Sequence, residues 1–167
     1  TESDNEVIQK LQDLIENYLE NPKKYIPVVE SLLSKSPDAW LYHSMLAQMK
    51  SQDVETLPEA IKEYSTCIEL QPDDARFYYS RAMCYEENNN LESALTDIRT
   101  AQEKAKEESY FSEIVRLELK AGNYENAWRL YTDGKWEDLN TAAEELTSLA
   151  GYFRKNGQFD QALHILG

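Results

Sequence analysis

DDARFYYSRAMCYEENNNLESALTDIRTA, residues 73–101, holds two short amphipathic helices joined by three asparagines. Leu91, Ala94, Ile98 and Ala101 recur at three- and four-residue steps, the spacing of one helix face. Asn88-Asn89-Asn90 suits the turn, because asparagine tolerates the left-handed conformation that ends many helices. The same local phrase returns elsewhere: LPEAIKEYSTCI at 57–68, YENAWRLY at 124–131 and FDQALHIL at 159–166. Its fixed point is an alanine, at Ala60, Ala94, Ala127 and Ala162, spaced 34, 33 and 35 residues apart. A period near 34 residues predicts a stacked helix–turn–helix array, in which each unit buries its apolar face against its neighbours.

Working outward, the first full unit pairs a helix from about Asp38 to Lys50 with one from about Pro58 to Leu70. Asp38 or Ser36 is the expected cap, and the turn SQDVETL is one residue longer than in later units. The third unit runs from Glu108 to about Gly134 and turns at Gly122. Asp133-Gly134-Lys135 then ends its second helix early, and Trp136–Leu139 reads as a short connector. The fourth starts near Asn140 and turns at Gly157. Ahead of the array, Val7, Ile8, Leu11, Leu14, Ile15, Tyr18 and Leu19 mark an amphipathic helix over Asp4–Glu20. A second helix is expected from Lys23 to Ser34, with Pro27 in its first turn. The division is therefore 1–36, a helical pair, and 37–167, three full units and a shortened fourth.

Composition bounds the function. Helix formers dominate, Gly and Pro number five each, and β-branched runs are almost absent. With 31 acidic against 17 basic residues the net charge is −14. That leaves no basic footprint for nucleic acid or for an anionic membrane; the excess acid reads first as a solubilising surface, it would attract a basic segment, and the partner expected is a protein or peptide, basic or apolar. No stretch approaches the length of a membrane span. Cys67 and Cys84 lack any metal-ligand spacing and read as buried thiols, which favours a reducing, cytoplasmic setting. No initiator Met is present and the chain stops within QALHILG, so a piece of a longer protein is expected.

The repeats resemble tetratricopeptide repeats. The second unit supplies Tyr78, Arg81-Ala82, Tyr85, Asn89, Leu91, Ala94, Ile98 and Ala101 at the family's positions. The third supplies Phe111, Ile114-Val115, Gly122, Tyr124, Ala127 and Tyr131; the fourth supplies Leu149-Ala150, Phe153, Gly157, Phe159, Ala162 and Ile165. The resemblance implies an all-α, right-handed α-solenoid of stacked antiparallel helix pairs. In it Ala47, Ala82 and Ala150 meet the second alanine of each unit, and Tyr64, Tyr85, Tyr124, Tyr131, Phe153 and Phe159 fill the gaps between units.

The resemblance also implies that ligands lie on the concave face, along the first helix of each unit. The matching positions are Ser44, Gln48, Arg76, Tyr79, Ser80, Met83, Ser112, Arg116, Leu119, Thr147 and Arg154, with Glu86 and Glu113 beside them. Tyr79 and Met83, four residues apart, form one wall, and with Arg116 they are expected to carry most of the binding. The family's subgroup that clamps acidic chaperone tails needs Lys, Asn and Arg where this chain has Ser44, Gln48, Ser80, Ser109 and Glu113. A register shifted by one unit meets Tyr79, Met83, Glu113, Glu144 and Ser148 instead, so neither builds the clamp. No nucleophile, zinc or phosphate-binding motif appears, His43 and His164 lie far apart, and Glu118 replaces the usual Tyr without an evident partner. The expectation is a non-catalytic interaction module without cofactor or metal, part of a longer protein or assembly. A small stand-alone secretion chaperone is the alternative. Leu163 and Leu166 on the last helix are expected to self-associate or to be covered by further sequence.

Overall fold

The computed structural model describes residues 22–106, 109–132 and 143–166. Among the described residues lie nine α-helices and no strand: α1 (Pro22–Lys35), α2 (Trp40–Lys50), α3 (Leu57–Leu70), α4 (Ala75–Glu87), α5 (Leu91–Lys104), α6 (Phe111–Lys120), α7 (Tyr124–Thr132), α8 (Ala143–Lys155) and α9 (Phe159–Leu166). Each helix packs on the next in chain order, and α6 also touches α8, giving an α-solenoid of stacked antiparallel pairs. The helix expected over Asp4–Glu20 and the connector at Trp136–Leu139 lie outside the described residues.

Alanine pairs set the spacing within each unit. Ala47 and Ala60, and Ala82 and Ala94, are all fully buried, and Ala150 and Ala162 are nearly so. A methyl group at the crossing lets two helices approach closely, so the larger side chains around it interdigitate instead of wedging the pair apart. In the third unit Val115 stands opposite Ala127. The core is a chain of clusters. Tyr25 and Val29 of α1 meet Leu46 and Met49 of α2, and Leu57, Tyr64 and Cys67 of α3 meet Phe77 and Cys84 of α4. Leu95 and Ile98 of α5 meet Ile114 and Leu117 of α6.

The turns explain themselves through backbone angles. Asn89, Gly122 and Gly157 have φ of 57°, 77° and 75°, the left-handed region expected of them. The following amides, of Asn90, Asn123 and Gln158, each donate 2.8 Å to the carbonyl five residues back, closing the same cap three times. The first unit has no left-handed residue. Its longer turn forms a 3₁₀ segment over Val54–Thr56, capped by the Asp53 side chain accepting from the Glu55 amide at 3.1 Å.

Four local expectations need correction. Helix α2 begins at Trp40 with Ala39 as its cap residue and no side-chain bond, so neither Asp38 nor Ser36 caps it. Pro22 opens α1, which leaves Pro27 inside the helix instead of in its first turn, at the cost of one backbone bond. Phe159, expected to fill an inter-unit gap, is 60% exposed. Glu118 does have partners: fully buried, it accepts from the Arg99 guanidinium and from Asn123 Nδ2 at 2.8 Å.

That carboxylate belongs to a set of charged ties between helices. Arg81 forks onto the buried Asp97 at 2.7 and 2.8 Å and reaches Ser65 at 2.9 Å, joining α3, α4 and α5. Arg116 forks onto Glu86 at 2.5 and 2.7 Å, and Lys120 adds a bond at 2.7 Å, joining α4 to α6. Buried carboxylates stay ionised only when so paired and hydrogen-bonded.

Two outcomes follow from these contacts. Ala94→Leu should lower unfolding free energy by about 1–3 kcal/mol through overpacking at the crossing. Thr96→Ala, exposed on the same helix, should stay within about 0.5 kcal/mol in the same urea titration. Arg116, then the Lys120 bond and both charges, outweigh desolvation and hold the Glu86 carboxyl down to about 2 from 4.5. A depressed carboxylate stabilises the fold above its unfolded value and loses that contribution as pH falls through its folded one. Melting temperature followed from about pH 4.5 to about 2 should therefore fall less steeply in Glu86→Gln than in the parent, which should be the more stable at neutral pH.

Candidate functional site

The first helices α2, α4, α6 and α8 carry the residues expected to bind, and the structure sorts them. Tyr79, Ser80 and Met83 come together on α4 in a pocket of about 350 Å³, completed by Ser51, Gln52, Tyr64, Cys84 and Glu87. The four-residue step predicted for Tyr79 and Met83 thus makes one wall. Tyr79 is fixed in place by stacking on Tyr110, with ring centroids 5.1 Å apart and planes 25° from parallel.

Other predicted positions have different surroundings. Ser44 is half-buried and donates to the Leu41 carbonyl at 2.8 Å. Arg76 turns back onto its own helix cap, forking on Asp74 at 2.9 and 2.7 Å. Ser112 is exposed and donates to Glu113 at 2.8 Å. Arg116 lies against Glu86, as described. Leu119 is a core residue, packed with Val115, Ala127, Leu149 and Phe153 where α6 meets α8. Gln48, Thr147 and Arg154 are exposed.

Sequence reading missed Ser51, Gln52 and Glu87 as pocket residues and assigned Tyr64 to packing alone. A signal was present in the lengthened turn after α2. That turn contains the 3₁₀ segment Val54–Thr56, and Ser51 and Gln52 at its start line the pocket with α4 residues. Tyr64 is buried, with the Ser51 and Ser80 hydroxyls beside its own; burial pushes its phenol up to about 12, so it stays neutral.

A second, broader trough of about 570 Å³ lies between the α3–α4 turn and the end of α5, lined by Gln71–Arg76 and Lys104–Lys106. It holds the Lys104–Asp73 pair at 3.1 Å and draws only Arg76 from the predicted set.

The chemistry of the thiols is inert. Burial raises Cys67 to about 12 and Cys84 to about 11, far from a reactive thiolate. Both are free and buried. Among the described residues no group of His, Cys, Asp and Glu could hold a metal ion, and no helix is long and apolar enough to cross a membrane.

Residues 63–96, from within α3 to within α5, match the model of the tetratricopeptide repeat family. Comparison with curated protein sequences finds no significant match. Among solved structures, the chain is similar to the crystal structure of MamA protein, with a TM-score of 0.75 at 13% identity over 96% of this chain and 87% of that one. It is also similar to YrrB, described as a TPR protein with an unusual peptide-binding site (TM-score 0.61, 19% identity, 82% of this chain, 70% of that one). A third likeness is to Naa15/Naa10 bound to HypK-THB (TM-score 0.63, 17% identity, 96% of this chain, 24% of that one). At these identities the likeness is one of fold. The repeat matched at 63–96 is continued on both sides by the same helix–turn–helix unit, so the chain has the fold of a tetratricopeptide-repeat array.

Proposed function

We propose that the chain is a non-catalytic protein-interaction module that holds an extended peptide or a partner segment along its first helices, centred on α4. The observation that carries this reading is the pocket formed by Tyr79, Ser80 and Met83 with the α2–α3 turn. Its volume of about 350 Å³ falls at the small end of ligand sites, roughly 300–1,000 Å³. Its walls mix two tyrosines and one thioether with hydroxyl, amide and carboxylate groups, which suits a side chain anchored by an apolar stem and oriented by polar contacts. The peptide-binding site named for YrrB and the HypK-THB bound to Naa15/Naa10 support protein or peptide partners for this fold.

A second contact surface has its own support. The residue after each repeat alanine, Ile61, Leu95 and Trp128, shares a cluster with the next unit's first helix. Leu163 holds the equivalent place on α9 and is 67% exposed, beside Phe159. We infer that this face takes a helix as the earlier units do, from a second copy when the chain is alone.

Both surfaces can be tested directly. Random peptides displayed on phage are selected on the immobilised chain, and a selected peptide is titrated by fluorescence anisotropy. Met83→Ala should weaken it roughly five- to tenfold. Unchanged affinity in Met83→Ala and in the pocket-filling Ser80→Phe, both folded by circular dichroism, would remove the pocket from the proposal. For α9, sedimentation velocity should show mass rising with concentration in the parent and a monomer in Leu163→Lys; a parent that stays monomeric at high concentration contradicts self-association.

A further inference from the structure

Charge distinguishes the pocket from the rest of the first-helix row. Glu87 lines it, is exposed, and has no ion-pair partner among the described residues. Its neighbour Glu86 is the opposite case, held by Arg116 and Lys120. No lysine, arginine or histidine lines the pocket. The polar groups around it, the Gln52 amide and the Ser80 hydroxyl among them, offer acceptors as well as donors.

We infer that this pocket receives a lysine or arginine side chain of a peptide ligand, with its aliphatic stem on Tyr79 and Met83 and its cationic head at Glu87. The inference rests on the peptide-binding reading above and names the chemistry of the ligand. An apolar side chain would strip water from Gln52 and Ser80 without replacing their hydrogen bonds. An acidic one would meet Glu87 within a chain of net charge −14. A long cationic side chain matches both surfaces, because its stem buries against apolar groups while its head stays polar. Tyr79, half-buried in the wall, adds aromatic surface that a cation favours.

The row also fixes a direction. At the position five residues after the first-helix crossing residue (Ala47, Ala82, Val115, Ala150), the successive units carry Gln52, Glu87, Lys120 and Lys155. Arg154 and Lys155 are exposed at the end of α8. A basic side chain is therefore attracted at the α2–α4 end and repelled at the α8 end.

The test uses the full chain and the phage-selected peptides. Peptides whose binding depends on Met83 should share a Lys or Arg at one position. Replacing that residue by norleucine, which keeps the stem and removes the charge, should cost roughly tenfold at low salt. The same replacement should cost little in Glu87→Gln, and the parent's preference should shrink as salt is raised. A Glu at that position should bind Glu87→Lys better than it binds the parent. Met83-dependent peptides without a cationic preference, or a norleucine peptide that binds the parent as well as the lysine one does, overturn the inference and leave peptide binding standing. A selection with no Met83-dependent binder overturns both.

Discussion

Two helices can cross closely only where neither presents a large side chain, and the array repeats that condition once per unit. Ala47 against Ala60 and Ala82 against Ala94 are buried to zero exposure. Everything else adjusts to this spacing. Leu46, Leu57, Ile98 and Leu117 fill the volume on either side of the crossings, and the left-handed caps at Asn89, Gly122 and Gly157 return the chain at the right angle for the next helix. The pocket on α4 depends on the same spacing, since Tyr64 comes from α3 and Met83 from α4, the helices of adjoining units.

Apolar packing places the helices, and charged ties set which neighbours they keep. Arg81–Asp97, Arg99–Glu118 and Arg116–Glu86 all lie in the second and third units. Each carboxylate is more buried than its arginine, so the acid is what needs the partner; an arginine at the rim can still reach water. Replacing one arginine alone would strip a buried acid of its main counterpart, leaving Glu118 with Asn123 and Glu86 with Lys120. Units one and two share a tyrosine and two cysteines in one apolar cluster, beside the Arg81–Ser65 bond.

Local signals made most of the fold readable. The asparagine and glycine turns and the buried thiols are properties of a few adjacent residues, the alanine period is one such local phrase repeated, and each appears in the structure as expected. The wall formed by Tyr79 and Met83 was legible for the same reason, being a four-residue step on one helix. What was hidden is non-local. Arg81 and Asp97 are 16 residues apart, Arg99 and Glu118 are 19, and Glu86 and Arg116 are 30. No helical periodicity links such positions, so Glu118 looked unpartnered and Arg116 looked available to a ligand. Leu119 was misplaced by the same blindness, because the α6–α8 contact that buries it follows from the stacking of two units and from no feature of its own helix.

The occupied state of Arg116 bears on how such a surface selects a ligand. An arginine already forked onto a carboxylate offers a ligand's carboxylate only an exchange. The new bonds replace old ones of the same kind, and Glu86 is then left with Lys120 alone. The intramolecular acid also competes at a high effective concentration, being tethered within reach. Acidic ligands therefore gain little at this point of the row, although arginine is the residue usually sought for carboxylate recognition. Glu87, one residue beyond Glu86, has made no such commitment among the described residues. Internal pairing thus decides which charges on the first helices remain to be read from outside, and at α4 the one left over is negative.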